Sequence, residues 1–353
     1  MPIDALVTLL VALLASLFMA WVIGAGSSGA TPFAPAVGAN AISIMRAAFV
    51  VGLFGFAGAT LQGANVSETI GRGLINGVTL DPVAVILVLG LAGGLMAVGI
   101  VTGYPIAAAF TVPGAVVGIG LGLGGTPAWQ TYWTVLALWL LIPFLGGGAA
   151  YLLASLLPRE DVPEGVSIPI LGAFVAMIVA NVGFAVLGPP GVSRSLVGVV
   201  TVAQGAGLPL RLGLTAGVGA GVGVLLRWRV EADQTRTLRR FLLLLGGLVA
   251  FSAGGSQVGL AVGPLLPLFD QFQIRPMYAL LGGGLGMLIG SWTAAPRMIK
   301  SLARDYSTLG PRRSISALVP AFLIAQTAVF LGVPVSFNEI IVSGIVGSGL
   351  AVG

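Results

Sequence analysis

Long apolar runs separated by short polar stretches dominate this chain, and they restrict its fold class before any motif is considered. Runs near the ~20 residues needed to cross about 30 Å of hydrocarbon fall at 3–23, 43–63, 82–102, 133–156, 168–188, 195–227 (with room for two), 239–262, 276–295 and 314–332. Two more, 104–124 and 333–352, open on Tyr104-Pro105 and Val333-Pro334 and follow a preceding span almost without a loop. That spacing predicts discontinuous or re-entrant helices. Only 8% of the residues are charged, against about 25% in a soluble domain. The expectation is an all-α polytopic membrane protein, multi-pass in the cell membrane, with the lipid bilayer as its solvent. The first run is too long, and too weakly basic in front, for a cleaved signal peptide, so it is expected to remain as the first membrane helix.

Several chemistries are missing. With no His and no Cys, neither imidazole nor thiolate is available as nucleophile, base or metal ligand. A membrane-embedded enzyme is therefore disfavoured, and no cofactor is expected beyond a coupling Na+ or H+. The net charge of +5 comes largely from arginines in short loops, which reads as membrane topology and not as nucleic-acid binding. The 55 glycines let helices approach closely in lipid.

The two proline-led segments are copies of each other. Residues 104–122 and 333–351 align without gaps, keeping Pro105 with Pro334, Gly118 with Gly347, Gly120 with Gly349 and Leu121 with Leu350. Gly58 with Gly290 and Val37-Gly38 with Val262-Gly263 extend the match at nearby offsets. The expected organisation is a first repeat at 1–125, a middle transmembrane region with a basic cytoplasmic loop at 126–237, and a second repeat at 238–353. Cytoplasmic loops retain excess Lys and Arg. The second repeat is preceded by Arg227, Arg229, Arg236, Arg239 and Arg240, and its inner loop carries Arg297, Lys300, Arg304, Arg312 and Arg313. The equivalent loop of the first repeat has only Arg72 against Glu68 and Asp81, and Arg46 lies on the other side. The repeats are expected to be inverted, with the N-terminus outside. Pro158 to Pro169, with Arg159, Glu160, Asp161 and Glu164, reads as a polar loop of the middle region.

Two glycine-rich polar stretches interrupt this apolar background, GAGSSGATPFAPAVG at 24–38 and SAGGSQVGLAVGP at 252–264. Broken helices there would free backbone N–H groups and the positive ends of half-helices, which attract anions, around a midplane site between the repeats. Ser27, Ser28, Gly29 and Thr31 in the first stretch, and Gly254, Gly255, Ser256 and Gln257 in the second, are the candidate donors to an inorganic oxyanion. The competing reading is that these small residues only pack helices. Glu339 lies in the last apolar segment beside Ser336 and Asn338, where a carboxylate costs at least ~2.5 kcal/mol at mid-membrane. Ser336 is assigned to the substrate, and Asn338 with Glu339 to ion coupling, unless Glu339 lies near the interface and snorkels. Asp4, Asp81 and Asp270 fall at span ends, and Trp21, Trp129 and Trp133 read as interfacial anchors.

These residues resemble the inorganic phosphate transporter family of sodium- or proton-coupled permeases. The family's GAND-V-A-N motif corresponds to Gly254-Gly255-Ser256-Gln257-Val258-Gly259-Leu260, followed by Ala261-Val262-Gly263-Pro264. Its P-V-S-T-T-H segment corresponds to Pro334-Val335-Ser336-Phe337-Asn338-Glu339 and, more eroded, to Pro105-Ile106-Ala107-Ala108-Ala109-Phe110; Val66-Ser67-Glu68-Thr69-Ile70 resembles its V-T-E-T-I. The resemblance implies a secondary active permease working by alternating access, with phosphate as substrate and a homodimer as the assembly. Ser256 and Gln257 replace the family's Asn and Asp, and Glu339 stands where the family has histidine. Sulfate, carried by some relatives, remains open as the anion. A passive anion channel is the alternative of another class.

Overall fold

A computed structural model describes residues 3–104, 106–157, 163–189, 192–205, 207–304 and 310–351, with no side-chain description for 3–5 and 304. Pro105, the Pro158 to Asp161 part of the polar loop, and the side chains of Asp4 and Arg304 lie outside the described residues.

Nearly everything described is helical. The chain begins with α1 (Ile3–Gly26), α2 (Ala34–Gly38), α3 (Ile44–Gln62), α4 (Ala64–Arg72), α5 (Pro82–Thr102) and α6 (Ala108–Gly122). A middle group follows: α7 (Trp129–Leu156), α8 (Glu164–Asn181), α9 (Leu196–Ala203) and α10 (Leu208–Ala232). Then come α11 (Gln234–Val262), α12 (Leu266–Gln271), α13 (Pro276–Thr293), α14 (Ala295–Arg304), α15 (Pro311–Leu331) and α16 (Phe337–Leu350). The succession of a long helix, a short one, a span, a short polar helix, a span and a half-length helix runs from α1 to α6 and recurs from α11 to α16. Strands β1 (Ile75–Asn76) and β2 (Thr126–Pro127) pair antiparallel, which pins the far end of α6 beside the start of α5.

Eight helices among the described residues are long and apolar enough to cross a membrane. Helix α13 is not one of them, because its glycines dilute its hydropathy, yet it packs along both α1 and α3. Helix α3 in turn lies along α11. Helix α11 is the most enclosed span and α10 the least. Helices α1 and α11 run antiparallel: the Ser16 hydroxyl donates to the Ala261 carbonyl at 2.9 Å, while Phe33 at the other end lies against Gly246.

The two proline-led segments are half-helices. At 1.5 Å per residue, the 15 residues of α6 and the 14 of α16 extend only about 21–23 Å, short of the ~30 Å hydrocarbon layer. Each follows a left-handed glycine cap, Gly103 (φ 83°) after α5 and Gly332 (φ 68°) after α15. Only glycine takes that conformation without cost. The chain then doubles back, with Ile106 against Gly99, so α6 starts inside the level of the α5 end.

The 195–227 run, which has room for two helices, is two, separated where Gly205 turns with φ 59°. Two sequence expectations need correction. The 168–188 run ends as a helix at Asn181 and starts earlier, at Glu164. Most consequential, α11 runs unbroken through 252–262 and gives way to a 3-10 turn only at Gly263–Leu265. Proline at 264 has no N–H to continue the ladder, whereas every N–H from 252 to 262 can find its helical carbonyl. The first stretch does break: α1 ends at Gly26, and turns lead to α2.

Candidate functional site

Because α11 stays helical, Gly254 and Gly255 cannot offer freed backbone donors. Their role is close approach. A Cβ on Gly254 would stand 1.9 Å from the Gly55 carbonyl oxygen, and one on Gly58 would stand 1.8 Å from the Phe251 carbonyl oxygen. Helices α3 and α11 therefore touch backbone to backbone, and the packing reading holds for this pair of glycines. Gly29 is equally confined, between the Gly24 carbonyl and the Ser291 hydroxyl of α13.

Close approach brings buried amides together on one side of α11. The Gln326 amide donates to Ser252 Oγ at 2.7 Å and pairs with the Gln62 amide at 3.3–3.4 Å. Gln62 also donates to the Gly183 carbonyl at 3.0 Å, so the loop after α8 takes part, with Phe184 beside Phe251. Both glutamines are less than a tenth exposed. The sequence reading missed them, although a lone Gln inside each of two apolar runs was a visible signal. Gln326→Leu would leave Ser252 only its donation to the Leu248 carbonyl and Gln62 only its donation to the Gly183 carbonyl, with the Gln62 amide oxygen unmet, and is expected to cost roughly 1–2 kcal/mol, read as a lowered melting temperature in detergent. An unchanged melting temperature would remove the network.

One turn further along α11 the polar groups are no longer satisfied. Ser256 Oγ has no partner, and Gln257 makes only a long 3.5 Å donation to the Val335 carbonyl, leaving Oε1 free. Val335 leads into α16. There Ser336 caps the helix by accepting from the Glu339 N–H at 3.2 Å, and Asn338 donates to the Ile106 carbonyl at 3.0 Å with Oδ1 free. Glu339 Oε2 is also buried and unpartnered, in a residue that is otherwise part-exposed. The Asn338 to Ile106 bond brings the start of α16 beside the chain leading into α6. Trp139 of α7 secures the same corner, donating to the Pro334 carbonyl at 2.8 Å and packing at a tilt of 59° against Phe110 with ring centres 4.4 Å apart.

The other candidates lie at the α1 break. Ser27 Oγ is fully buried and unpartnered. Ser28 and Thr31 bond back to their own turn, to the Ile23 carbonyl at 3.4 Å and the Ser27 carbonyl at 3.1 Å. The structure thus joins Gln257, Ser336, Asn338 and Glu339 around the start of α16, while Ser28, Gly29 and Thr31 stay within the turn against α13.

Eight buried side-chain atoms lack a hydrogen-bond partner among the described residues, and five belong to Ser27, Ser256, Gln257, Asn338 and Glu339. Each such atom costs about 1–3 kcal/mol, and these five fall on residues that the sequence had singled out. The orientation of the two amides is fixed by the carbonyls they face: the NH2 groups must point at Val335 and Ile106, which leaves oxygen as the free atom. Three of the five are therefore acceptors and two are hydroxyls. In the outer part of the fold, Asp270 and Glu68 both pair with Arg72 and Asp81 caps α5. Trp129 and Trp133 are largely exposed, and Trp21 bonds to Thr293.

Known proteins share this architecture. A solved structure described as the sodium-dependent phosphate transporter superposes with a TM-score of 0.81 over 98% of this chain and 90% of that one, at 22% identity. A Pyrococcus furiosus protein provisionally named a phosphate permease is 28% identical over 98% of this chain and 88% of its own length. The Arabidopsis thaliana chloroplastic inorganic phosphate transporter 2-1 is 25% identical over 97% of this chain and 65% of its own length. The family described as the phosphate transporter family matches residues 7–353, and the chain belongs to it.

Proposed function

We propose that this protein carries inorganic phosphate across the membrane by alternating access, driven by a sodium gradient. The observation that supports this best is the set of unpartnered oxygens at the start of α16. A fully deprotonated oxyanion needs donors only, so Gln257 Oε1, Asn338 Oδ1 and the Glu339 carboxylate suit either a sodium ion, which takes oxygen ligands, or the proton that phosphate still carries near neutral pH. Sulfate has no such proton and makes less use of these acceptors. The hydroxyls of Ser27 and Ser256 and the N-terminal ends of α6 and α16 supply donors and positive potential for the anion. Sodium as the driving ion is taken from the described activity of the solved relative.

In this reading, 1–125 and 238–353 are two inverted units with the site between them, and 126–237 is a surrounding middle region. Antiparallel α1 and α11 support the inversion, as do the arginines of the 227–240 hairpin for its cytoplasmic side. Uptake of labelled phosphate into proteoliposomes, with sodium and proton gradients imposed separately, tests the proposal. Accumulation against a phosphate gradient is expected under an inward sodium gradient, and excess sulfate is expected to compete poorly. Flux that no gradient drives uphill would instead identify a passive channel.

A further inference from the structure

Away from that site, α8, α9, α10 and the first half of α11 enclose a cavity of about 610 Å³, within the roughly 300–1,000 Å³ of ligand-holding pockets. Val175, Val179, Val218, Leu225 and Leu244 line its length, and Arg229, Thr237 and Arg240 line the end at the α10–α11 hairpin. Because α10 is the least enclosed span, the groove opens sideways to the surroundings of the helices.

Charge distinguishes one end. The hairpin has two carboxylates, and both are taken: Glu231 by Arg227 at 3.0 Å and Asp233 by Arg236 at 3.4 Å. Arg239 donates to the Ala41 carbonyl. Arg229 and Arg240 have no ion pair among the described residues, and Glu164 on the neighbouring α8 is bound to Arg312. The Thr237 hydroxyl donates to the Arg229 carbonyl at 2.8 Å, fastening α10 to α11 so that both free guanidiniums stay at the same end.

We propose that this groove binds an anionic phospholipid, with an acyl chain along the valine and leucine walls and the phosphodiester between Arg229 and Arg240. Basic pockets between membrane helices suit anionic headgroups, and guanidinium pairs with phosphate through two parallel bonds. A free phosphate ion would leave the apolar length unfilled. A second copy meeting this face across a two-fold axis would set the same unmatched arginines near each other.

Native mass spectrometry of the detergent-purified protein, given phosphatidylglycerol and phosphatidylcholine of identical chains, tests this independently of transport. Phosphatidylglycerol is expected to be retained in preference by roughly thirtyfold. The Arg229→Gln/Arg240→Gln variant is expected to lose that preference and Arg229→Lys/Arg240→Lys to keep part of it, while Val218→Trp lowers retention of both lipids by filling the groove. Equal retention of the two lipids, or a preference that survives the double glutamine variant, overturns the proposal. So does displacement of the lipid by inorganic phosphate or glycerol 3-phosphate, which marks a site for the headgroup alone. Cross-linking of position 218 to a second copy in place of lipid overturns it as well.

Discussion

Ser256→Ala combined with Gln257→Leu is expected to cut phosphate uptake by roughly a hundredfold or more while leaving the melting temperature equal or higher. The two halves of this result have one cause. Ser256 Oγ and Gln257 Oε1 are buried with no partner in the protein, and an unmet polar atom costs about 1–3 kcal/mol. Deleting them sacrifices only the long 3.5 Å donation from Gln257 to the Val335 carbonyl, so the fold loses almost nothing. A transported ion, by contrast, loses two hydrogen bonds or oxygen ligands, each worth about 1.5–3 kcal/mol when one partner is charged, which multiplies to the stated fall. Uptake at the wild-type rate would remove these residues from the site. A parallel fall in melting temperature would instead make them structural.

Gly254→Ala is expected to have the largest effect on folding. The new methyl would stand 1.9 Å from the Gly55 carbonyl oxygen and 2.9 Å from the Ala59 nitrogen, and neither backbone atom can rotate away. Helices α3 and α11 must separate, which undoes the contact that also aligns Gln62 with Gln326 and Ser252. A cost of roughly 3 kcal/mol or more follows, visible as loss of a monodisperse peak after detergent extraction. Gly90→Ala on α5 is the control: nothing lies within 4 Å of its Cβ position, so it is expected to be neutral or to gain up to about 1 kcal/mol from helix propensity. If both variants behave alike, the close approach of α3 and α11 is not what stabilises this region.

The binding reading and the packing reading of the glycine-rich stretches thus divide by position. Gly254, Gly255 and Gly29 are occupied by neighbouring helices. The side chains between and beyond them carry the unpartnered atoms, Ser27 Oγ, Ser256 Oγ and Gln257 Oε1. Packing and unmet polar atoms coexist in a single stretch because one face of α11 meets α3 while Gln257 faces the loop into α16.

The sequence by itself determined the membrane class, the positions of most spans and the two half-helices. Those follow from local properties: apolar length sets what can cross lipid, and Gly103 and Gly332 ahead of their prolines stop a helix wherever they occur. It also marked Ser256, Gln257, Asn338 and Glu339, because a polar atom in an apolar run carries its cost with it. What only the tertiary structure decided is where α11 breaks and which polar atoms remain free. The 252–262 segment stays helical because helix hydrogen bonds satisfy its backbone and the bare backbone of Gly55 and Gly58 packs against it. Gln62 and Gln326 satisfy each other across 264 positions, while Gln257 and Asn338 turn their nitrogens to Val335 and Ile106 and keep their oxygens free. Whether a buried amide is satisfied depends on which carbonyl lies opposite, and that is fixed by packing between segments distant in the chain.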